Sequence, residues 1–305
     1  MVFKTFGWSG FELKVPEDWD MSIDRGSFDK GYIRLDGLKF PRLEVSWERY
    51  KEDKVKPLND IVEDAKKYLR KKDKNVRFIG KDRSMRIHGH TARRIRWRID
   101  GDEGYLIIWY CNKSQRLYRL QIFFKQDEYW SFKGVITEIL KSFKCHIGSN
   151  LYTWTALDLT LKLPKIFRLE HRTYKVGKIA LLFESKDSAI FINRIGMANV
   201  VLPEKYDDDL RKLLEEEHLP DIRKRFKIPK FKRVRRFGDD RHEGFIMTTS
   251  YKSGIFMPKE FFVKTRVWLC KVANKVYAVT MIIRKGSEAE KMRSRLERLL
   301  FSICP

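Results

Sequence analysis

Three groups of residues have types and spacings suited to chemistry. The first is Arg94–Ile95–Arg96–Trp97–Arg98–Ile99, which alternates cationic and apolar side chains. On a strand, Arg94, Arg96 and Arg98 point to one side about 6.6–6.8 Å apart, a comb comparable with the phosphate spacing of a nucleic-acid strand. Ile95, Trp97 and Ile99 then point to the other side. The comb ends a stretch, residues 66–98, that holds 14 Lys/Arg, Lys71 and Lys72 among them, against only Asp73 and Asp82. The second group is residues 223–236, with nine Lys/Arg and no acid. It contributes Arg223, Lys224, Arg225, Lys227, Lys232, Arg233, Arg235 and Arg236 as candidate nucleic-acid contacts. Phe226, Phe231 and Phe237 punctuate this run. They either stack on unpaired bases, as in single-strand binders, or anchor strands in a core.

The third group is histidine and cysteine. His88–Gly89–His90 would put two imidazoles on the same side of a strand, a geometry metals accept. No third ligand lies nearby in sequence, so neither a metal site nor a cofactor is expected. His146, His171 and His218 have no recognisable partners. Cys111 and Cys145 are 34 residues apart, as are Cys270 and Cys304, and no Cys-x-x-Cys occurs. Each pair either closes a disulfide between a hairpin strand and the end of a helix, worth ~3–4 kcal/mol by the chain-entropy argument, or the four are small buried thiols. The second reading is preferred, because disulfides are rare in the cytosol outside hyperthermophiles. Gly101–Asp102–Glu103–Gly104 reads as a hairpin turn rather than an acid pair. There is no phosphate-cradling glycine loop and no Gly-x-Ser-x-Gly elbow. No catalytic residue is assigned, and the chain is read as non-enzymatic.

The elements that position these residues occur twice. Shifting the sequence by 159 lays residues 106–125 over 265–284 without a gap, matching Trp109 to Trp268, Cys111 to Cys270 and Tyr118 to Tyr277. Each block reads as a β-hairpin, with polar turns at Asn112–Gln115 and Ala273–Lys275. An amphipathic helix follows each, carrying Phe132, Val135, Ile136, Ile139, Leu140 and Phe143 in one copy and Met292, Leu296, Leu299 and Leu300 in the other. Upstream, FELKVPEDW (11–19) resembles LTLKLPKIF (159–167), with 11 extra residues between landmarks in the second copy. GYIRLDG (31–37) matches GKIALLF (177–183). An internal helix is expected in each copy, around Leu58, Ile61, Val62, Ala65 and Leu69 and around Leu210, Leu213 and Leu214. His90–Thr91–Ala92 corresponds to His242–Glu243–Gly244. The predicted fold class is α+β: two repeated domains, 1–148 and 151–305, each an antiparallel β-sheet flanked by helices.

Each repeat resembles the PsbP/Mog-like family, which includes the photosystem II extrinsic protein and the Ran guanine-nucleotide release factor. The resemblance rests on Val15–Pro16 and Leu163–Pro164 closing an early strand, on Ala92 and Gly244, on the Trp-bearing hairpin, and on helices running into SFKC or FSIC. It implies an α-β-α sandwich and a mostly non-catalytic, protein-binding role, and it carries over no catalytic residue.

Composition bounds the function. The 305 residues carry 65 Lys+Arg against 41 Asp+Glu, net +24, and the excess is shared: 32 against 22 in residues 1–150, 33 against 19 in the rest. With 43% apolar and 13% aromatic residues, wholesale disorder is excluded. No apolar run reaches the ~18 residues of a membrane helix, and the N-terminus lacks a signal-peptide core, so a soluble cytoplasmic protein is expected. Only three Gln and seven Asn give the surface a thermophilic cast, which explains many charges but not their sign. The field attracts polyanions, and the expected partner is nucleic acid: RNA or the ribosome first, DNA second. An acidic protein partner, an anionic membrane surface and an enzyme with a cleft between the repeats are the alternatives.

Overall fold

The computed structural model describes residues 1–202, 206–254, 257–301 and 303. By packing, the chain forms two compact units, Met1–Thr160 and Leu161–Pro305. The division falls inside the opening hairpin of the second repeat, after the seam expected near residue 150. The strand Leu151–Ala156 accounts for this offset, because Trp154 meets Trp8 edge to face at 5.3 Å and Thr155 Oγ1 accepts a hydrogen bond from the Gly7 amide.

The first repeat opens with the hairpin β1 (Phe3–Trp8) and β2 (Phe11–Pro16). It continues through β3 (Asp20–Gly26), β4 (Lys30–Asp36), β5 (Pro41–Arg49), helix α1 (Leu58–Lys72), β6 (Arg77–Phe78), β7 (Arg83–Ile87), β8 (His90–Ile99), β9 (Asp102–Cys111), β10 (Arg116–Lys125) and helix α2 (Tyr129–Ser142). The second runs β11 (Leu151–Ala156), β12 (Leu159–Pro164), β13 (Arg168–Lys175), β14 (Lys178–Glu184), β15 (Ser188–Gly196), then helices α3 (Ala198–Val201), α4 (Tyr206–Leu213) and α5 (Leu219–Phe226), with a π-helical turn at Leu214–His218. It ends in β16 (Arg233–Gly238), β17 (His242–Ser253), β18 (Lys259–Cys270), β19 (Lys275–Arg284), α6 (Glu288–Lys291) and α7 (Arg293–Leu300).

Both large sheets are antiparallel and share one strand order: β3-β4-β5-β10-β9-β8-β6, with β7 also on β8, and β13-β14-β15-β19-β18-β17-β16. The duplication expected from sequence is therefore present in the topology. In each unit the chain leaves the middle of the sheet after β5 or β15, crosses as helix to the far edge, and folds back strand by strand until β10 or β19 closes the gap. This route carries both basic stretches to the same sheet edge.

Alternation along the strands sorts the core. Ile95, Trp97, Leu106, Ile108 and Leu117 pack with Ile61, Val62 and Leu69 of α1. On the intervening positions of β9 and β10, Trp109 stacks on Tyr118 and meets Phe143, which itself stacks on Phe11. Trp109 and Trp268 are fully buried core residues. The Asp100–Gly101 turn has φ of 44° and 86°, the mirror-image turn that matches strand twist and favours Asp-Gly. The second copy departs from the expected single internal helix. Its segment breaks into three helices and a π-turn that bury Leu202, Leu210, Leu213, Leu214, Leu219 and Ile222.

Candidate nucleic-acid interface and a cysteine–histidine cluster

The Arg comb lies on β8 as the alternation demands, with Ile95 and Trp97 buried beneath it. Its opposite neighbour changes its chemistry. Glu103, on β9 beside it, is fully buried, and its two oxygens are each gripped by one guanidinium. Arg96 donates from Nε and Nη2 to Oε2 at 2.9 and 2.6 Å; Arg98 donates from Nε to Oε1 at 2.7 Å and again from Nη2. Arg94 lies 4.7 Å over the Tyr105 ring, and Arg96 4.7 Å over Tyr129. Two of the three teeth are thus held by a carboxylate that the sequence reading had assigned to a turn. Arg94 alone has no carboxylate partner among the described residues. Lys71 and Lys72 are exposed in the last turn of α1, where they complement the helix dipole. Lys72 also borders a groove of about 910 Å³ whose walls include Tyr32, Glu44, Ser46 and Arg119.

The run at 223–236 divides by location. Arg223 forks onto Glu215, and Arg225 onto Glu184 at 2.7–2.8 Å. Both pairs are exposed, so each contributes little stability and exchanges readily for another anion. Lys224 and Lys227 are exposed at the end of α5. Lys232, Arg233, Arg235 and Arg236 lie on or just before β16, the sheet's edge strand, with every cation exposed. Lys232, Arg233 and Arg235 have no carboxylate partner among the described residues. Of the aromatics of this run, Phe226 and Phe231 pack partly buried against the core, while Phe237 sits under Arg266 at 4.2 Å.

A different group of residues converges without having been foreseen. The His88–Gly89 dipeptide is the tight turn between β7 and β8, with φ of 48° and 84°. His88 therefore stands on the turn and His90 on the strand after it, so the two imidazoles do not share a strand face. Ala92 pairs with Trp109, which puts His90 opposite Cys111 at the end of β9. Cys145 and His146 follow α2. They are fixed by the reciprocal backbone bonds of Glu12 and Lys144 (3.0 and 2.7 Å) and by the Tyr118 hydroxyl donating to the Cys145 carbonyl at 2.9 Å. The ligand atoms of His90, Cys111, Cys145 and His146 all lie within 4.8 Å of one another. His146 Nδ1 is 3.5 Å from each sulfur, and His88 Nδ1 is 3.6 Å from Cys145 Sγ. The His88 ring lies 4.2 Å from that of His146. Both thiols are buried and free.

The electrostatics of the pair are lopsided. A hydrogen bond from the Cys145 thiol, helped by the Ser114 amide at 3.4 Å, holds the Cys111 thiol far below its ordinary value, to about 4. The same pairing, with burial, pushes Cys145 up. Burial and the neighbouring His146 lower His88. Cys270, the counterpart of Cys111, is by contrast disulfide-bonded, contrary to the preferred expectation of four thiols; Cys304 lies outside the described residues. The one sequence signal for the cluster was the equal Cys spacing, with His146 directly after Cys145.

No protein-family model matches the chain, nor does any curated protein. Among solved structures, the chain is similar to the solution structure of cyanobacterial PsbP (CyanoP) from Synechocystis sp. PCC 6803. That match has 14% identity over 47% of this chain and 91% of that one, with a TM-score of 0.38. It is also similar to the crystal structure of the Tle4–Tli4 complex, with 11% identity over 99% and 96% of the two chains and a TM-score of 0.31. The apo structure of immunity protein TplEi of the T6SS from Pseudomonas aeruginosa gives 9% identity over 99% and 95%, with a TM-score of 0.30. What stands on the chain's own topology is a pair of units, each dominated by one antiparallel sheet of common strand order.

Proposed function

We propose that this is a non-enzymatic basic protein that binds nucleic acid in the cytoplasm, RNA in preference to DNA, and that each unit is a PsbP/Mog-like α-β-α sandwich. One observation carries the functional reading: Lys232, Arg233 and Arg235 stand exposed on an edge strand with no carboxylate to satisfy them among the described residues. Alternate residues on a strand stand about 6.6–6.8 Å apart, so Arg233 and Arg235 reach neighbouring phosphates. Lys224 and Lys227 extend the patch. Arg94, on β8 one strand inside the corresponding edge, supplies with Lys71 and Lys72 of α1 the matching region of the first unit. Contacts of this kind give affinity without sequence readout, and the affinity falls steeply with salt.

Titration of labelled single-stranded RNA and duplex DNA at several salt concentrations tests this. The triple change Lys232→Ala, Arg233→Ala and Arg235→Ala is expected to flatten the salt slope for RNA by about 2, at roughly 0.7 per phosphate contact. Absence of binding at low salt sinks the reading. A second reading has one observation in its favour: β16 is an edge strand, so an extended acidic peptide can add to it through backbone bonds. Polyglutamate binding as tightly as RNA, and lost with the same triple change, would favour that reading.

A further inference from the structure

We propose that His90, Cys111, Cys145 and His146 form a tetrahedral zinc site in the first unit. The argument begins with ligand chemistry. Two thiols and two imidazoles are the donor set of closed structural zinc sites, with Zn–S about 2.3 Å and Zn–N about 2.0–2.1 Å. A tetrahedron with those bond lengths has S···N edges of about 3.5 Å. His146 Nδ1 lies 3.5 Å from both Cys111 Sγ and Cys145 Sγ, so two edges of such a figure are already present, and all four ligand atoms lie within 4.8 Å of one another.

His90 supplies the fourth corner. Its Nε2 is buried and has no hydrogen-bond partner, an arrangement that costs free energy unless something occupies the position. A cation held by His90 and the two sulfurs satisfies it. The Ser114 amide, 3.4 Å from Cys111 Sγ, is the outer-shell donor that thiolate ligands take. The His88 ring lies 4.2 Å from the His146 ring, tilted 33° to it. The soft sulfur pair selects zinc over magnesium, calcium or manganese.

The four residues come from three separate places: the start of β8, the end of β9, and the chain after α2. A bound ion therefore ties the ends of β8 and β9 to the segment that follows the helix. In the second unit the cysteine equivalent to Cys111 is disulfide-bonded, and no imidazole stands at the position matching His88. The counterpart of His90, His242, is retained next to that disulfide.

Reduced, EDTA-treated protein titrated with Co²⁺ provides the test. One equivalent should bind, giving the intense visible bands of tetrahedral cobalt with thiolate-to-cobalt charge transfer, and Zn²⁺ should displace it. Cys111→Ser and Cys145→Ser should abolish the charge-transfer band, and His90→Ala should weaken binding by more than the ~10–100-fold that loss of an outer-shell partner costs. His88→Ala should retain the spectrum. A measurement on unaltered protein guards against variants that fail to fold: Zn²⁺ should slow alkylation of Cys111 and Cys145, read by peptide mass spectrometry. The site is overturned by no cobalt uptake, by an octahedral spectrum, by alkylation rates indifferent to Zn²⁺, or by loss of binding in His88→Ala and not in His90→Ala.

Discussion

On the face that α1 covers in part, strands β4 and β5 present Tyr32, Glu44 and Ser46 to an open groove. The matching strands of the second unit, β14 and β15, present Ala180, Leu182, Ala189 and Phe191, and these lie under helices. One sheet plan thus carries two coverings. The polar face needs only the 15 residues of α1, whereas the apolar one demands cover, which the broken helical segment of the second copy supplies. The lesson is that a duplicated sheet constrains strand order tightly and leaves its faces free to diverge, provided side chains and covering change together.

The sharpest way to break this comparison is at Ala92 and Gly244, which occupy equivalent places opposite Trp109 and Trp268. Ala92 is accommodated with no exposure. A methyl built on Gly244 would meet the Val267 carbonyl at 2.0 Å and Trp268 Cα at 2.7 Å, both backbone. Gly244→Ala is expected to destabilise by ~3 kcal/mol, and Ala92→Gly by only about 1 kcal/mol. Thermal melts and hydrogen exchange resolved by unit check this; equal costs would mean the two positions are not equivalent.

The next effect concerns Glu103. Removing a buried carboxylate that two guanidinium groups share strands both charges, and Glu103→Gln should cost about 2–3 kcal/mol, reduced from the fully buried case because both arginines reach solvent. Denaturant titration measures it. The same variant frees Arg96 and Arg98, so a steeper salt dependence of RNA binding should accompany the lost stability. No change in slope would show that these arginines never meet phosphate.

The smallest effect over the range tested appears between neutrality and pH 5 and lies in the second unit. His218 is buried against Phe191, pairs through Nε2 with Thr280 Oγ1 at 2.8 Å, and is pushed down to about 3 by burial. The folded state keeps it neutral while the unfolded chain protonates below about 6.5. Its full contribution is present above that value and is lost as pH falls toward 3, by about 1.4 kcal/mol per pH unit. Melting between pH 7.5 and 5 should show the second unit weakening first. His218→Gln should remove that sensitivity, and an unchanged pH dependence would exclude His218 as its source.

The repeat, the Trp-bearing hairpins and the terminal helices were legible in the sequence because their signals are local. Residue period and turn composition act within twenty positions, and the self-similarity compares ungapped blocks of about that length. Glu103 was not legible as a counter-charge, since its role depends on facing Arg96 and Arg98 across two strands and not on its own neighbours. The histidine–cysteine cluster was hidden for the same reason: a strand pairing brings His90 to Cys111, and a backbone bridge to Glu12 brings Cys145 and His146. The three phenylalanines of the second basic run read equally well as base-stacking or core residues. Only packing places Phe226 and Phe231 against the core of the second unit, and Phe237 beneath Arg266 instead.

The position of β10 and β19 bears on how the protein is made. Arg49 pairs with Arg116, and Gly196 with Lys275, so β5 and β15 lack their inner neighbour until the whole excursion to the sheet edge has left the ribosome. Closing loops of that length is entropically slow. During synthesis each half-built sheet exposes an open edge, the condition under which nascent chains associate wrongly. Because the two halves share a strand order, the nascent second copy offers the first a near-equivalent partner strand. Completion of the first sheet before the second emerges would keep the two registers apart.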